Sequence, residues 1–374
     1  MPKQNASAKE LWGQLLEQLS RAPYATLQDP NYNPEKDEAK FRVAMRQAGW
    51  SDAEIAWRMK VHKAQIEEAP TTSAGVNPHV EFMFGVLCDD VEAAMDRLRM
   101  TSHTRVARGV EPRLGPYAAK TNVIMTEESI ITIGTQLFRF CGLIARAFTR
   151  TVQIDADFWD SDRYSKDAAI RLIRENPNLL LYWARIYTSY ALTGTNILTP
   201  FRPATIFELS FEHVARAMEL FAVAHEYGHH HHDHGRQIDR QVEKAEEFEA
   251  DQFALKICYE IERFRHVLGY NPYLTSGAGG LILLRALRTL RTVEMRLKGI
   301  QVARTDSHPE VEERAARFDT VALLCPSEFA TLQHFRRSSA RVLDAVDTET
   351  ACWLAGLTPA TLREIGRWRS LLDF

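Results

Sequence analysis

The sequence predicts a mainly helical protein with a small β-sheet, an α+β class, and three observations carry that prediction. Apolar residues recur at helical spacing through most of the 374 residues. Strand signal concentrates in Asn122 to Ile133, where Val123, Ile124, Met125 and then Ile130, Ile131 and Ile133 flank Glu127-Glu128-Ser129 in the manner of a hairpin. No stretch approaches the length of a bilayer-crossing apolar segment. The longest uncharged run, Ile186 to Phe201, is broken by threonines, serine, asparagine, glycine and proline, so no membrane span is expected.

Composition narrows the class further. A chain of 374 residues can bury a large core in one domain or two. Hydrophobic residues at 45%, charged residues at 25% and a net charge of -3 lack the basic excess of a polyanion binder, so no nucleic-acid partner is expected. Cys88, Cys141, Cys258, Cys325 and Cys352 are odd in number and scattered, which fits reduced thiols better than a disulfide framework. Met1 to Arg21 has a charged helical pattern without an apolar signal core, so a cytoplasmic location is expected.

In chain order, residues 1–75 form a helical N-terminal region around the proline-bearing loop Pro23 to Pro34, closed by the linker-like Ala69 to Pro78. Within it, Ala48 to His62 has the look of a helix-turn-helix start. Ser51 and Glu54, however, make a capping box that explains a helix start without DNA, and Glu67-Glu68 would face phosphates unfavourably. Residues 76–325 contain every candidate for chemistry, and residues 326–374 form a helical tail that Pro326 introduces, its last helix opening at Thr358-Pro359.

The chemistry centres on His225-Glu226-Tyr227-Gly228-His229. Residues four apart share a helix face, so His225 and His229 can offer two imidazoles to one zinc ion, with Glu226 placed as general base. Val214, Ala217, Met218, Phe221, Ala222, Val223 and Ala224 supply an apolar helical approach, and His234-Gly235 a stop. A catalytic zinc takes three protein ligands and keeps one position open. Glu247 is the expected third, because its spacing to Asp251 suits a ligand followed by a carboxylate that orients a ligating histidine; Glu246 and Glu249 compete with it. His230, His231, His232 and His234 leave the shared face or lie too far along the axis, so solvent or helix-end roles are expected of them.

Further on, Ser307-His308-Pro309-Glu310 opens a charged helix expected over Glu310 to Leu324. His308 could stabilise an oxyanion or contact the attacking water, and Arg314 could fix Asp251 or Glu247; a helix-entry histidine with a surface arginine is the plain alternative.

Together, Val223-Ala-His225-Glu226-Tyr-Gly-His229, Glu247-Phe-Glu-Ala-Asp251 and Ser307-His308-Pro309 with Arg314 resemble the CAAX prenyl protease and HtpX heat-shock protease family of gluzincin metallopeptidases. The likeness spans residues 118 to 320. It implies a zincin-like core with helical N- and C-terminal extensions, an edge strand for substrate, and hydrolysis of peptide bonds in a protein or peptide substrate. Under it, His225, His229 and Glu247 bind one Zn2+, Glu226 is the base, Asp251 supports a ligand, and His308 and Arg314 lie near the substrate. The chain departs from membrane-embedded members in lacking an apolar span, and the long stretch Gln136 to Leu209 precedes its metal helix. Soluble phage-exclusion peptidases of the Lit type are similar in that general sense. Two rival readings remain at this point: a protease-linked regulator with a DNA-binding N-terminal region, and a structural metal site without catalysis.

Overall fold

A computed structural model describes residues 7–20, 34–47, 49–68, 78–124, 126–153, 165–199, 210–235, 240–264, 270–298, 310–319 and 326–357. The chain enters through α1 (Ala8–Ser20), α2 (Pro34–Gln47), α3 (Asp52–Glu68) and α4 (Pro78–Arg97). The capping box forms as its residues dictate: Ser51 N–H and hydroxyl donate to Glu54 Oε2 at 2.8 and 2.6 Å, and Glu54 N–H donates back to Ser51 Oγ at 3.3 Å. Trp12 of α1 lies over Gly109, where a Cβ would fall 2.0 Å from the indole, and packs with Val123 and Ile130. The absent side chain is what admits the ring.

β1 (Val106–Glu111), β2 (Ala118–Asn122) and β3 (Ser129–Gly134) form one sheet in the order β1-β3-β2. β3 pairs parallel with β1 and antiparallel with β2, with Ala118 opposite Ile133 and Asn122 opposite Ser129. All six residues of β3 are buried, as befits a central strand. The hairpin therefore exists, but its first arm is Ala118–Asn122, upstream of the expected Val123-Ile124-Met125. Val123 is drawn into the α1 cluster, and Ile124 is 83% exposed on the turn. Pairing with β3 and a hydrophobic contact from another element override the local β propensity.

The remaining elements are helices: α5 (Gln136–Gln153), α6 (Lys166–Glu175), α7 (Pro177–Thr193), α8 (Ser210–His231), α9 (Arg240–Phe264), α10 (Pro272–Thr275), α11 (Ala278–Lys298), α12 (Val311–Phe318) and α13 (Pro326–Ala355). α12 starts one residue later than expected, with Glu310 as its cap, and ends at Phe318. α8 runs through the middle, packed by α4, α5, α9, α10, α11 and β2. Its apolar approach is buried from Val214 to Ala224, apart from the half-buried Arg216. Close approach is sterically permitted by small residues: a Cβ on Gly279 of α11 would lie 2.4 Å from the Ala217 Cβ. α13 contributes Val342, Leu343 and Val346 to the same core that holds α8, so the C-terminal helix is part of the main body.

Among the described residues, no helix is long and apolar enough to cross a membrane. Cys88, Cys141 and Cys258 are buried free thiols, whereas Cys352 is exposed. The expected linker Ala69 to Pro78 lies outside the described residues except for Pro78, and the helix expected at Thr358 and Cys325 lie outside them altogether.

Candidate metal centre

The last turns of α8 carry both motif histidines on one face, with ring centroids 4.6 Å apart and Nε2 atoms 3.0 Å apart. Gly228, between them in sequence, sets the distance to the next helix. A Cβ there would stand 2.9 Å from Ala250 Cα and 3.1 Å from Ala250 O, so only glycine lets α9 lie this close. The close approach delivers Glu247, whose Oε2 is 3.5 Å from His225 Nε2 and whose Oε1 is 3.5 Å from His229 Nε2. A tetrahedral ion with bonds of about 2.0–2.1 Å spaces its ligand atoms by roughly 3.3 Å. Two imidazole nitrogens and one carboxylate at these spacings could hold a metal ion.

The competing glutamates are engaged elsewhere. Glu246 accepts the Gly235 N–H with both oxygens at 3.1 Å, and Glu249 Oε2 lies 3.0 Å from His234 Nε2.

Behind the three ligand candidates sits a buried charged pair. Arg314 donates from Nε and Nη2 to Asp251 at 2.7 and 2.5 Å, and its Nη1 is 3.1 Å from Glu247 Oε2. Asp251 Oδ1 is 3.1 Å from His225 Nδ1, a close contact whose angle departs from that of a hydrogen bond. Burial works against charge on both acids, yet Arg314 and His225 hold Asp251 below the usual carboxylate range. Glu247 is likewise held low against its burial, by His225, His229 and Arg314. Burial alone would discharge His225, but Asp251 and Glu247 push its pKa up to about 10. A metal ion would take the place of that ring proton, because ligation uses the neutral imidazole.

The three ligand candidates open onto a cavity of about 680 Å3, together with Glu226 and Arg314. Leu137, Phe221, Leu283, Leu284 and Leu287 make its apolar wall, and β2 runs along another side. The edge strand is tied to the end of α8: Lys120 Nζ and Asn122 Nδ2 donate to the His234 carbonyl at 2.7 and 3.0 Å. Glu226 is half-buried at this cavity, one residue from the ligand face, where a base must stand.

Two of the extra histidines depart from the solvent or helix-end expectation. His230 is buried and bridges α8 to the sheet region, 2.9 Å from Ser129 Oγ and 2.8 Å from Ser102 O. His234 is buried too. α8 ends at His231, Asp233 takes φ 60° and Gly235 φ 75°, and this reversal swings the His234 ring back so that its Nδ1 lies 3.0 Å from His229 Nδ1. Helical projection could not find His234, because it is positioned by the break in the helix rather than by its continuation. Lys120 and the α11 leucines also escape notice as site residues, since in sequence they read as a strand lysine and core apolar residues. His308 lies outside the described residues.

Comparison with protein-family models, with curated proteins and with solved structures finds no match for the chain.

Proposed function

We propose that this chain is a zinc-dependent endopeptidase with a zincin-like core, hydrolysing peptide bonds in a protein or peptide substrate. The observation that carries the reading is the convergence of His225 Nε2, His229 Nε2 and the Glu247 carboxylate within 3.0–3.5 Å of one another, at a cavity that Glu226 also lines. Three protein donors and open space beside them favour a catalytic site over a closed structural one, which is normally four-coordinate. Zinc bound there supplies acidification of water and polarisation of the scissile carbonyl. Glu226 accepts the proton of the attacking water and then delivers it to the leaving amine.

The other residues serve position and affinity. Asp251 sets the ring of His225, and Arg314 neutralises Asp251 and Glu247 so that both remain ionised when buried. β2 has β3 on one side and the cavity on the other, so an extended peptide can add to its outer edge with side chains directed at the leucine wall. His308, assigned from the sequence resemblance, is proposed to act near the substrate carbonyl. The test is Glu226→Gln: it should keep stoichiometric zinc and lose proteolysis of the target, measured by metal analysis and by comparing fragments in cells expressing each form. Retained proteolysis would refute the assignment.

A further inference from the structure

A second group of ligand-type side chains lies beside the first. His232, His234 and Glu249 each offer one ligand atom, all within 4.8 Å of one another. The rings of His232 and His234 are stacked, with centroids 5.4 Å apart and planes 17° apart, and His234 Nε2 already faces Glu249 Oε2 at 3.0 Å. His232 and Glu249 are exposed, so both can rotate to close the spacing, whereas His234 is held in place from behind by His229. The donor set, two imidazoles and a carboxylate, suits a borderline divalent cation such as Zn2+. Two of its three donors are exposed and must be ordered on binding, which implies weaker binding than at the more buried first centre.

We propose that His232, His234 and Glu249 form a second, lower-affinity Zn2+ site, and that its occupancy opposes metal at His225, His229 and Glu247. The opposition follows from where the ring protons must sit, and this part rests on the reading of the first centre as a metal site. An imidazole that gives its Nε2 lone pair to an ion carries its proton on Nδ1. With an ion on His229 Nε2, the His229 Nδ1–H donates to His234 Nδ1, so the proton of His234 sits on Nε2 and is donated to Glu249. An ion on His234 Nε2 requires the reverse, and two N–H groups would then face each other across 3.0 Å. Either the contact between the two histidines breaks or one ion is weakened. The coupling is reciprocal, and such couplings are commonly about tenfold.

The experiment is a Zn2+ titration of the metal-free full chain, read by equilibrium dialysis and native mass spectrometry, with circular dichroism to confirm folding. The native chain should bind two ions, the second at least tenfold more weakly. His232→Ala should bind one, with the tighter affinity retained. Glu247→Gln, which damages the first centre, should keep the weaker ion and hold it about tenfold more tightly than the native chain does. An ion count that His232→Ala does not lower, whether the native chain binds one ion or two, would overturn the second site. Equal affinity for the weaker ion in the native chain and in Glu247→Gln would overturn the coupling. Failure of the first centre reads differently: Glu247→Gln would then bind as many ions as the native chain does, while His232→Ala bound one fewer.

Discussion

The two motif histidines are braced by opposite kinds of chemistry. His225 rests on Asp251, itself gripped by Arg314, in a buried ionic array; His229 rests on His234, a neutral ring whose far side meets the exposed Glu249. Both arrangements hold a ring in one orientation, as the proposed metal site requires of its Nε2. The ionic brace sets the Asp251 charge, partly offset by Arg314, against His225 at a depth where it is weakly screened. The neutral brace orients without adding much charge and sits at the cavity's rim.

The severest way to break the ionic side is to remove its cation. Arg314→Ala leaves Asp251 and Glu247 buried with the ring of His225 as their main remaining cation and should cost about 3–5 kcal/mol of stability in chemical denaturation of the metal-free chain. A loss below about 1 kcal/mol would mean that the array contributes little. Next in size, Asp251→Asn should weaken Zn2+ binding by about 10- to 100-fold while the fold persists, whereas His234→Ala should weaken the first ion by about tenfold at most. Equal losses in the two variants would erase the distinction drawn between the braces.

A third change acts on the spacing that both braces presuppose. Gly228→Ala forces its methyl against Ala250 and should push α9 outward, costing about 1–3 kcal/mol and loosening the metal through Glu247 rather than through either histidine. Isothermal titration alongside thermal melts would check both effects, and an unchanged melting temperature would show that α9 is not held by that contact.

A change read as a pH slope sharpens the contrast between acids buried with and without a close cation. Glu219, earlier on α8, is pushed up to about 8 by burial despite the opposing pull of Arg216, while Asp251 and Glu247 are held low by their cations. Native Glu219 is therefore protonated where the unfolded chain, at an ordinary value of 4.5, is ionised. Its contribution is fully present below pH 4.5 and declines by about 1.4 kcal/mol per pH unit until pH passes about 8. Glu219→Gln should flatten that decline in denaturation curves across the same window; an identical pH slope in the variant would contradict the assignment.

Much of this site is legible in the sequence because helices carry their geometry locally. The four-residue repeats of His225 with His229 and of Glu247 with Asp251, the Ser51–Glu54 capping box and the stop after α8 all follow from spacing within one helix. The choice among Glu246, Glu247 and Glu249 does not, since it depends on how α9 is rotated against α8. The parallel strand β1 was equally illegible: Val-Ala-Arg-Gly-Val-Glu has neither alternation nor a run of β-branched residues, and it becomes a strand by pairing with β3.

The sequence by itself determined that two imidazoles share one helical face beside a glutamate, and that a ligand-type acid with a partner four residues on would follow, because these are properties of a 3.6-residue turn. Tertiary structure alone decided that Glu247 is the acid that meets the histidines, that Arg314 neutralises it, and that His234 turns back onto His229. Those outcomes depend on interhelical phase, on a close contact at Gly228 and on a left-handed break at Asp233, none of which is encoded by the spacing within any one segment.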